Sequence, residues 1–135
     1  MATITNEYLG ALRTRAIHER SQTELITDAP VDNNGKGESF SPTDLVATSL
    51  ITCMITVMGI EAQKKNIPFE GVKGDIRKLM RNDPRRIARL ETTIEILDQG
   101  QSSEEKDLLR KIAEDCPVAL SLHPEIDQRL ELRFV

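Results

Sequence analysis

From residue 8 to residue 17 the side chains alternate. Leu12, Thr14 and Ala16 fall on one side, and Arg13, Arg15 and Ile17 on the other, which is the period of a strand. A second short strand is predicted over residues 24–28, joined to the first through the polar turn 18–22 as an antiparallel hairpin. Residues 29–41, APVDNNGKGESFS, break the pattern with Asn, Gly and Asp and read as an ordered loop or a short strand. They end in Ser41-Pro42-Thr43-Asp44, which is helix-start chemistry. Ser41 suits the N-cap, Pro42 the first helical position, and Asp44 complements the positive helix end three residues after the cap. The spacing predicts a helix over 42–65. Its stretch 45–60, LVATSLITCMITVMGI, carries no charge and is apolar or weakly polar all round, so it is expected to be enclosed on most sides. Lys64, Lys65, Asn66 and Pro68 stop it.

Two further strands are predicted over 72–80 and 87–97, around the turn Arg81-Asn82-Asp83-Pro84. In the second, Leu90, Thr92, Ile94 and Ile96 alternate with Arg89, Glu91, Thr93 and Glu95, so one face is dry and the other wet. Ser102 and Glu105 fit a capping box. Leu108, Leu109, Ile112, Ala113 and Cys116 then form one helical stripe. A short helix opens at Pro117, and Leu130, Leu132 and Phe134 alternate with charge in a terminal strand. The predicted order is two strands, a long helix, two strands, a helix, a short helix and a strand. That is an α+β fold over 1–135, read as a single domain with antiparallel sheet packed around a long central helix. One subunit of this size covers so apolar a helix poorly, and a homodimer joined through the central helices is expected.

Composition narrows the function. The 22 acidic and 18 basic residues, net charge −4, make a mixed surface, and only Tyr8, Phe40, Phe69 and Phe134 are aromatic. Neither a polyanion-binding face nor a set of stacking platforms is present, so no nucleic-acid partner is expected. The uncharged run 45–60 is shorter than the ~20 residues of a membrane span, and no membrane partner is expected. The start, MATITNEYLG, lacks a basic lead and an apolar stretch, which points to a cytoplasmic protein.

In that compartment thiols stay reduced, and two cysteines suggest redox chemistry more than a structural staple. Cys53 lies inside the apolar helix and Cys116 directly before Pro117. The reactive form is the thiolate, and an apolar helix interior favours the inert thiol, so Cys53 needs a cation brought by another segment. Arg13, Arg15 and Arg20 are the early candidates. Cys116 is expected at the N-cap of the short helix, where the backbone favours negative charge. Against this stands the plainer reading that a free cysteine packs as a small hydrophobe.

Ser41 to Cys53, SPTDLVATSLITC, resembles the segment leading into the reactive helix of the OsmC/Ohr family of thiol-dependent hydroperoxide reductases. Cys116-Pro117-Val118 resembles that family's second-cysteine motif, and TDAPVDNNGKG at 27–37 its loop before the helix. The likeness implies an OsmC-like fold and an intertwined homodimer with its active site at the interface. It implies that Cys53 attacks the O–O bond of an organic hydroperoxide and becomes a sulfenic acid. Cys116 would resolve this as a disulfide, and an external dithiol, a lipoyl protein or similar, would reduce it with no bound cofactor. In the family an arginine from the N-terminal strand region supports the thiolate. Counting back from Pro30 favours Arg13 or Arg15. A glutamate directly after the proline orients that arginine. Here Thr43 stands in its place, with Asp44 next door and Glu38 in the preceding loop as possible substitutes.

Met54 and Val57 are candidates to line an apolar substrate channel, with core packing as the plainer alternative for Met54 and Met58. His18 is a candidate to line the site from the hairpin. His18 and His123 have no close-spaced ligand partners of the kind metal sites use, and no metal is expected. Arg81, Arg85, Arg86 and Arg89 read as solvated turn charge. Because Thr43 replaces the glutamate, a dimer that binds a small hydrophobic ligand without turnover stays in view, and a thiol–disulfide exchange protein is a third reading of the two cysteines.

Overall fold

The computed structural model describes residues 1–135, which divide into two compact units, Met1–Val46 and Ala47–Val135.

The first unit is a three-stranded antiparallel sheet in the order β1-β2-β3, with β1 at Ile4–Gly10, β2 at Arg13–His18 and β3 at Glu24–Asp28. The single strand expected over 8–17 is instead the hairpin of β1 and β2. The chain reverses at Gly10, Ala11 and Leu12, all with positive φ (87°, 53° and 61°). Ala11 and Leu12 are poor advertisements for such a turn, which Asn and Gly usually mark. β1 was also illegible for want of a buried face: six of its seven residues are exposed. The hairpin of β2 and β3 pairs Ile17 with Glu24 and, at its far end, Arg13 with Asp28.

After β3 the chain makes one 3₁₀ turn at Val31–Asn33 and returns beside β3, where Asp28 N–H donates to the Phe40 carbonyl (3.0 Å). Gly35 is needed here: a Cβ would stand 1.7 Å from the Ala29 carbonyl oxygen. The long helix α1, Pro42–Lys65, begins within this unit. Ser41 Oγ accepts from Asp44 N–H (3.1 Å), and the Asp44 carboxylate accepts from Ser41 N–H (2.9 Å). This is a reciprocal cap with Asp in the place usually taken by Glu.

In the second unit, β4 (Lys73–Arg81), β5 (Arg86–Ile96) and β6 (Asp127–Phe134) form a sheet in that order. β4 and β5 are antiparallel, but β6 runs parallel to β5, correcting the expectation of purely antiparallel sheet. The cause is the crossover: α2 (Ser103–Glu114) and α3 (Pro117–Ser121) carry the chain back to the starting end of β5. The capping box of Ser102 and Glu105 starts α2.

Leu90, Thr92, Ile94 and Ile96 on β5 are buried, as are Leu109 and Ala113 on α2 and Leu50, Met54 and Met58 on α1. Each large apolar side chain of this set contributes roughly 1.5–3 kcal/mol by leaving water. Gly74 on β4 lets α1 approach the sheet, since a Cβ there would meet the Thr93 carbonyl oxygen at 2.6 Å and Ile51 at 3.1 Å.

Within a single chain α1 is covered on one face only. Its buried stripe is Ala47, Leu50, Met54, Met58 and Ala62, whereas Thr52, Thr56 and Ile60 on another face are exposed. Thr52 Oγ1 is satisfied within the helix by the carbonyls of Thr48 (2.8 Å) and Ser49 (3.2 Å). At 24 residues, α1 is long and apolar enough to cross a membrane by length and composition, a test that the core helix of a soluble protein also passes.

Candidate functional site

The second unit brings the two cysteines together across 63 positions of sequence. Cys53 sits on α1, partly exposed, one residue before the buried Met54. Cys116 ends the stripe of Leu109 and Ala113 and is 1% exposed. The thiols are free and hydrogen-bonded to each other.

Cys116 is held by its backbone. With φ −64° and ψ 152° it is the N-cap of α3, and its Sγ accepts from Ala119 N–H at 3.4 Å. Gln128 Nε2 donates to the Ala119 carbonyl (3.0 Å), tying this turn to β6. Burial pushes the Cys116 thiol above its ordinary pKa. The Ala119 and Val118 amides pull it down, while the hydrogen bond and negative charge of Cys53 push it further up. Burial thus favours the protonated thiol at Cys116.

The second unit also holds a cavity of about 340 Å³ lined by Met54, Glu114, Ala119, Gln128, Arg129 and Leu130. Met54 follows Cys53 on α1 and Ala119 is the residue whose amide Cys116 caps, but neither thiol lines the cavity. Val57 is half-buried and is not among the lining residues. A larger open depression, about 580 Å³, lies around Gly59, Asn66, Pro68, Phe69 and Gln99 and holds neither thiol. No three His, Cys, Asp or Glu side chains converge as a metal-binding set.

The first unit holds the arginine candidates. Arg13 makes a two-pronged bond to Asp28, Nε to Oδ1 at 2.7 Å and Nη2 to Oδ2 at 2.9 Å. Nη2 also reaches Glu38 at 3.1 Å. Asp28 is 1% exposed, and its Oδ2 accepts a third bond from Glu38 N–H (3.1 Å). The hydrogen bond and charge of Arg13 hold the Asp28 carboxyl below its ordinary value, against the effect of burial. Asp28 and Glu38 raise Arg13 in turn. Arg15 has looser company: it bonds Glu7 and lies 3.9 Å from Glu24, both half-exposed. Arg20 is exposed in the turn. His18 Nδ1 pairs with Ser21 Oγ at 2.6 Å in that turn. Asp44 caps α1, as described above.

Asp28 is the residue that sequence reasoning passed over. The signal existed in the hairpin register. Once Ile17 faces Glu24, Arg13 must face Asp28 and Arg15 must face Ile26.

No curated protein matches the chain. Among solved structures, a Psychrobacter arcticus protein named for an osmotic stress and detoxification response is 45% identical, with a TM-score of 0.92 over 98% of this chain and 96% of that one. The organic hydroperoxide resistance protein OsmC of Legionella pneumophila has the same fold at 19% identity, TM-score 0.73 over 98% of both chains. So does OhrB of Bacillus subtilis, an organic hydroperoxide resistance protein, at 17% identity and TM-score 0.63 over 98% of both chains. The sequence profile described as OsmC-like protein matches residues 35–131, well over half the length. The chain therefore belongs to the OsmC-like protein family.

Proposed function

We propose that the protein reduces organic hydroperoxides through its two thiols. The observation that carries this reading is the pairing of Cys53 with the buried Cys116 across 63 positions of sequence. The Cys53 thiolate attacks the O–O bond of an alkyl hydroperoxide. One oxygen stays on sulfur as the sulfenic acid, and the other leaves with a proton as the alcohol. The Cys116 sulfur then displaces the sulfenic oxygen as water, and an intramolecular disulfide forms. An external dithiol, such as a lipoyl protein, returns both sulfurs to thiols and leaves as its own disulfide. Such a cycle suits the reducing cytoplasm. The cavity beside Met54 and Leu130 offers partly apolar room for the organic group.

Of the two arginine candidates, Arg13 is the better fixed. Its support is the buried carboxylate that fixes its guanidinium, which Arg15 lacks. A homodimer completes the reading. Its support is the open face of α1 with Ile60 48% exposed, and the exposed Ile4, Tyr8, Leu9 and Leu12 of the first unit.

Mass spectrometry after one equivalent of cumene hydroperoxide tests the proposal. An intramolecular Cys53–Cys116 disulfide is expected, absent in Cys53→Ser. Two free thiols persisting in the wild-type protein would sink it. Oxidation by a model disulfide but not by any hydroperoxide would indicate thiol–disulfide exchange instead.

A further inference from the structure

We propose that Gln128 is the positioning residue for Cys116: through the Ala119 carbonyl it fixes the turn that carries the resolving sulfur. The inference rests on the reading above, in which Cys116 closes a disulfide with Cys53. Every residue it uses lies within the second unit.

Three observations carry it. The first is where Gln128 stands. Along β6, Asp127, Arg129, Glu131 and Arg133 are exposed, and Gln128, Leu130, Leu132 and Phe134 between them are half-buried. Gln128 is the one polar side chain in that inner row. An amide drawn out of water must find a partner or cost stability. Its Nε2 finds the Ala119 carbonyl at 3.0 Å. The strand that holds it is firm, since Gln128 faces Leu90 in the parallel ladder and Leu90 is fully buried.

The second is how little else holds the turn. α3 has five residues, of which Ala119 alone is buried, and Leu120 is 71% exposed. A helix this short is not stable by itself and depends on what ties it down. Ala119 and Gln128 both line the cavity of about 340 Å³, so their bond runs along a hollow rather than through close packing.

The third is what the turn carries. Ala119 gives its carbonyl to Gln128 and its N–H to Cys116 Sγ (3.4 Å). One residue thus stands between the strand and the sulfur. The chain before Cys116 is tied to the same strand, since Arg110 Nη1 on α2 donates to the Leu130 carbonyl (3.1 Å). β6 therefore grips the chain on both sides of Cys116. Closing a disulfide needs the attacking sulfur aligned with the sulfenic sulfur, and a small misplacement slows the step.

The test separates the two chemical steps in the full-length protein. Gln128→Met keeps an unbranched side chain of similar length and removes the donor. Oxidation of Cys53 by cumene hydroperoxide, and the closure that follows, are timed by acid quench, alkylation and mass spectrometry, alongside the melting temperature. The first step should change by less than about 2-fold, because Gln128 acts on the other sulfur. Closure should slow about 2- to 10-fold, the scale of one neutral hydrogen bond. With excess peroxide, more of Cys53 should then reach the sulfinic acid. An equal loss in both steps, or a lowered melting temperature with closure unchanged, would mean a structural role and overturn the proposal. If Gln128→Met does not fold, Gln128→Leu decides by the same rule.

A readout free of peroxide keeps this inference distinct from the functional reading. Glutathione disulfide oxidises the two thiols to the Cys53–Cys116 disulfide and leaves as two glutathione thiols. The equilibrium constant of that exchange should be about 2- to 10-fold lower in Gln128→Met, by the same hydrogen bond. An equal constant would overturn the role of Gln128 even where the wild-type protein reduces hydroperoxide. A wild-type protein inert towards hydroperoxide, with the drop present, would overturn the functional reading alone.

Discussion

The sulfur of Cys116 is shared between Cys53, with which it hydrogen-bonds, and the amide of Ala119, whose helix it caps. One atom thus has a structural and a chemical task, and two substitutions separate them. Serine is a good N-cap and cannot form a disulfide, whereas alanine can do neither. Cys116→Ser is expected to melt near the wild-type temperature. Cys116→Ala should be less stable than Cys116→Ser by about 1 kcal/mol. Both should leave Cys53 without a resolving partner, so peroxide should drive it past the sulfenic acid to the sulfinic form, detectable as added oxygen mass.

The raised pKa of Cys116 has a consequence at high pH. Its folded-state value lies above the ordinary 9.0, chiefly through burial and then through Cys53. The unfolded state loses this proton first as pH rises. The stabilisation that comes from keeping it is complete below about pH 9 and fades as pH climbs through the folded-state value. Urea unfolding of the reduced protein at pH 8 and pH 10 should show a loss, and Cys116→Ser should show a smaller one. Equal losses would mean that the thiol is not the titrating group.

How much of this arrangement the sequence announces differs by element. The strand β5 is plain, because Leu90, Thr92, Ile94 and Ile96 alternate and the sheet buries that one face. The two caps are plain too, since Ser41, Asp44, Ser102 and Glu105 act on neighbours in sequence. The first hairpin is hidden because β1 has no dry face and Ala11 and Leu12 turn without the residues that usually mark a turn. The parallel pairing of β6 follows from two helices in the crossover, a constraint of topology that no local period contains. The meeting of Cys53 and Cys116 is likewise tertiary. Family likeness suggested it, and spacing alone did not. The Arg13–Asp28 pair lies between these cases, since the register of one short hairpin contains it.

That pair should govern the acid limb of stability. Arg13 first, by hydrogen bond and then by charge, holds Asp28 below its ordinary 3.8. A depressed carboxyl stabilises the fold above its unfolded-state pKa, and the contribution is lost as pH falls from there through the folded-state value. Wild-type stability attributable to Asp28 should hold down to about pH 4 and fall below it. Asp28→Asn should be less stable at pH 7 and should lose less between pH 4 and pH 2. Parallel curves for the two proteins over that interval would contradict the pairing.

The start of α1 offers a test of Asp44, which was a candidate carboxylate for the arginine. Its carboxylate accepts the Ser41 amide while Ser41 Oγ accepts the Asp44 amide. Ser41 is 2% exposed, so its groups have little water to fall back on. Ser41→Ala should cost about 0.5–2 kcal/mol, the range for losing an N-cap. Asp44→Ala should cost a similar amount, since it removes both the reciprocal bond and a negative charge at the positive helix end. The two bonds are halves of one cap, so the double substitution should cost clearly less than the two singles added together. Denaturant unfolding of the four proteins measures this directly. Strict additivity, or an Asp44→Ala protein as stable as wild type but stripped of peroxide activity, would return Asp44 to the reaction and remove it from the cap.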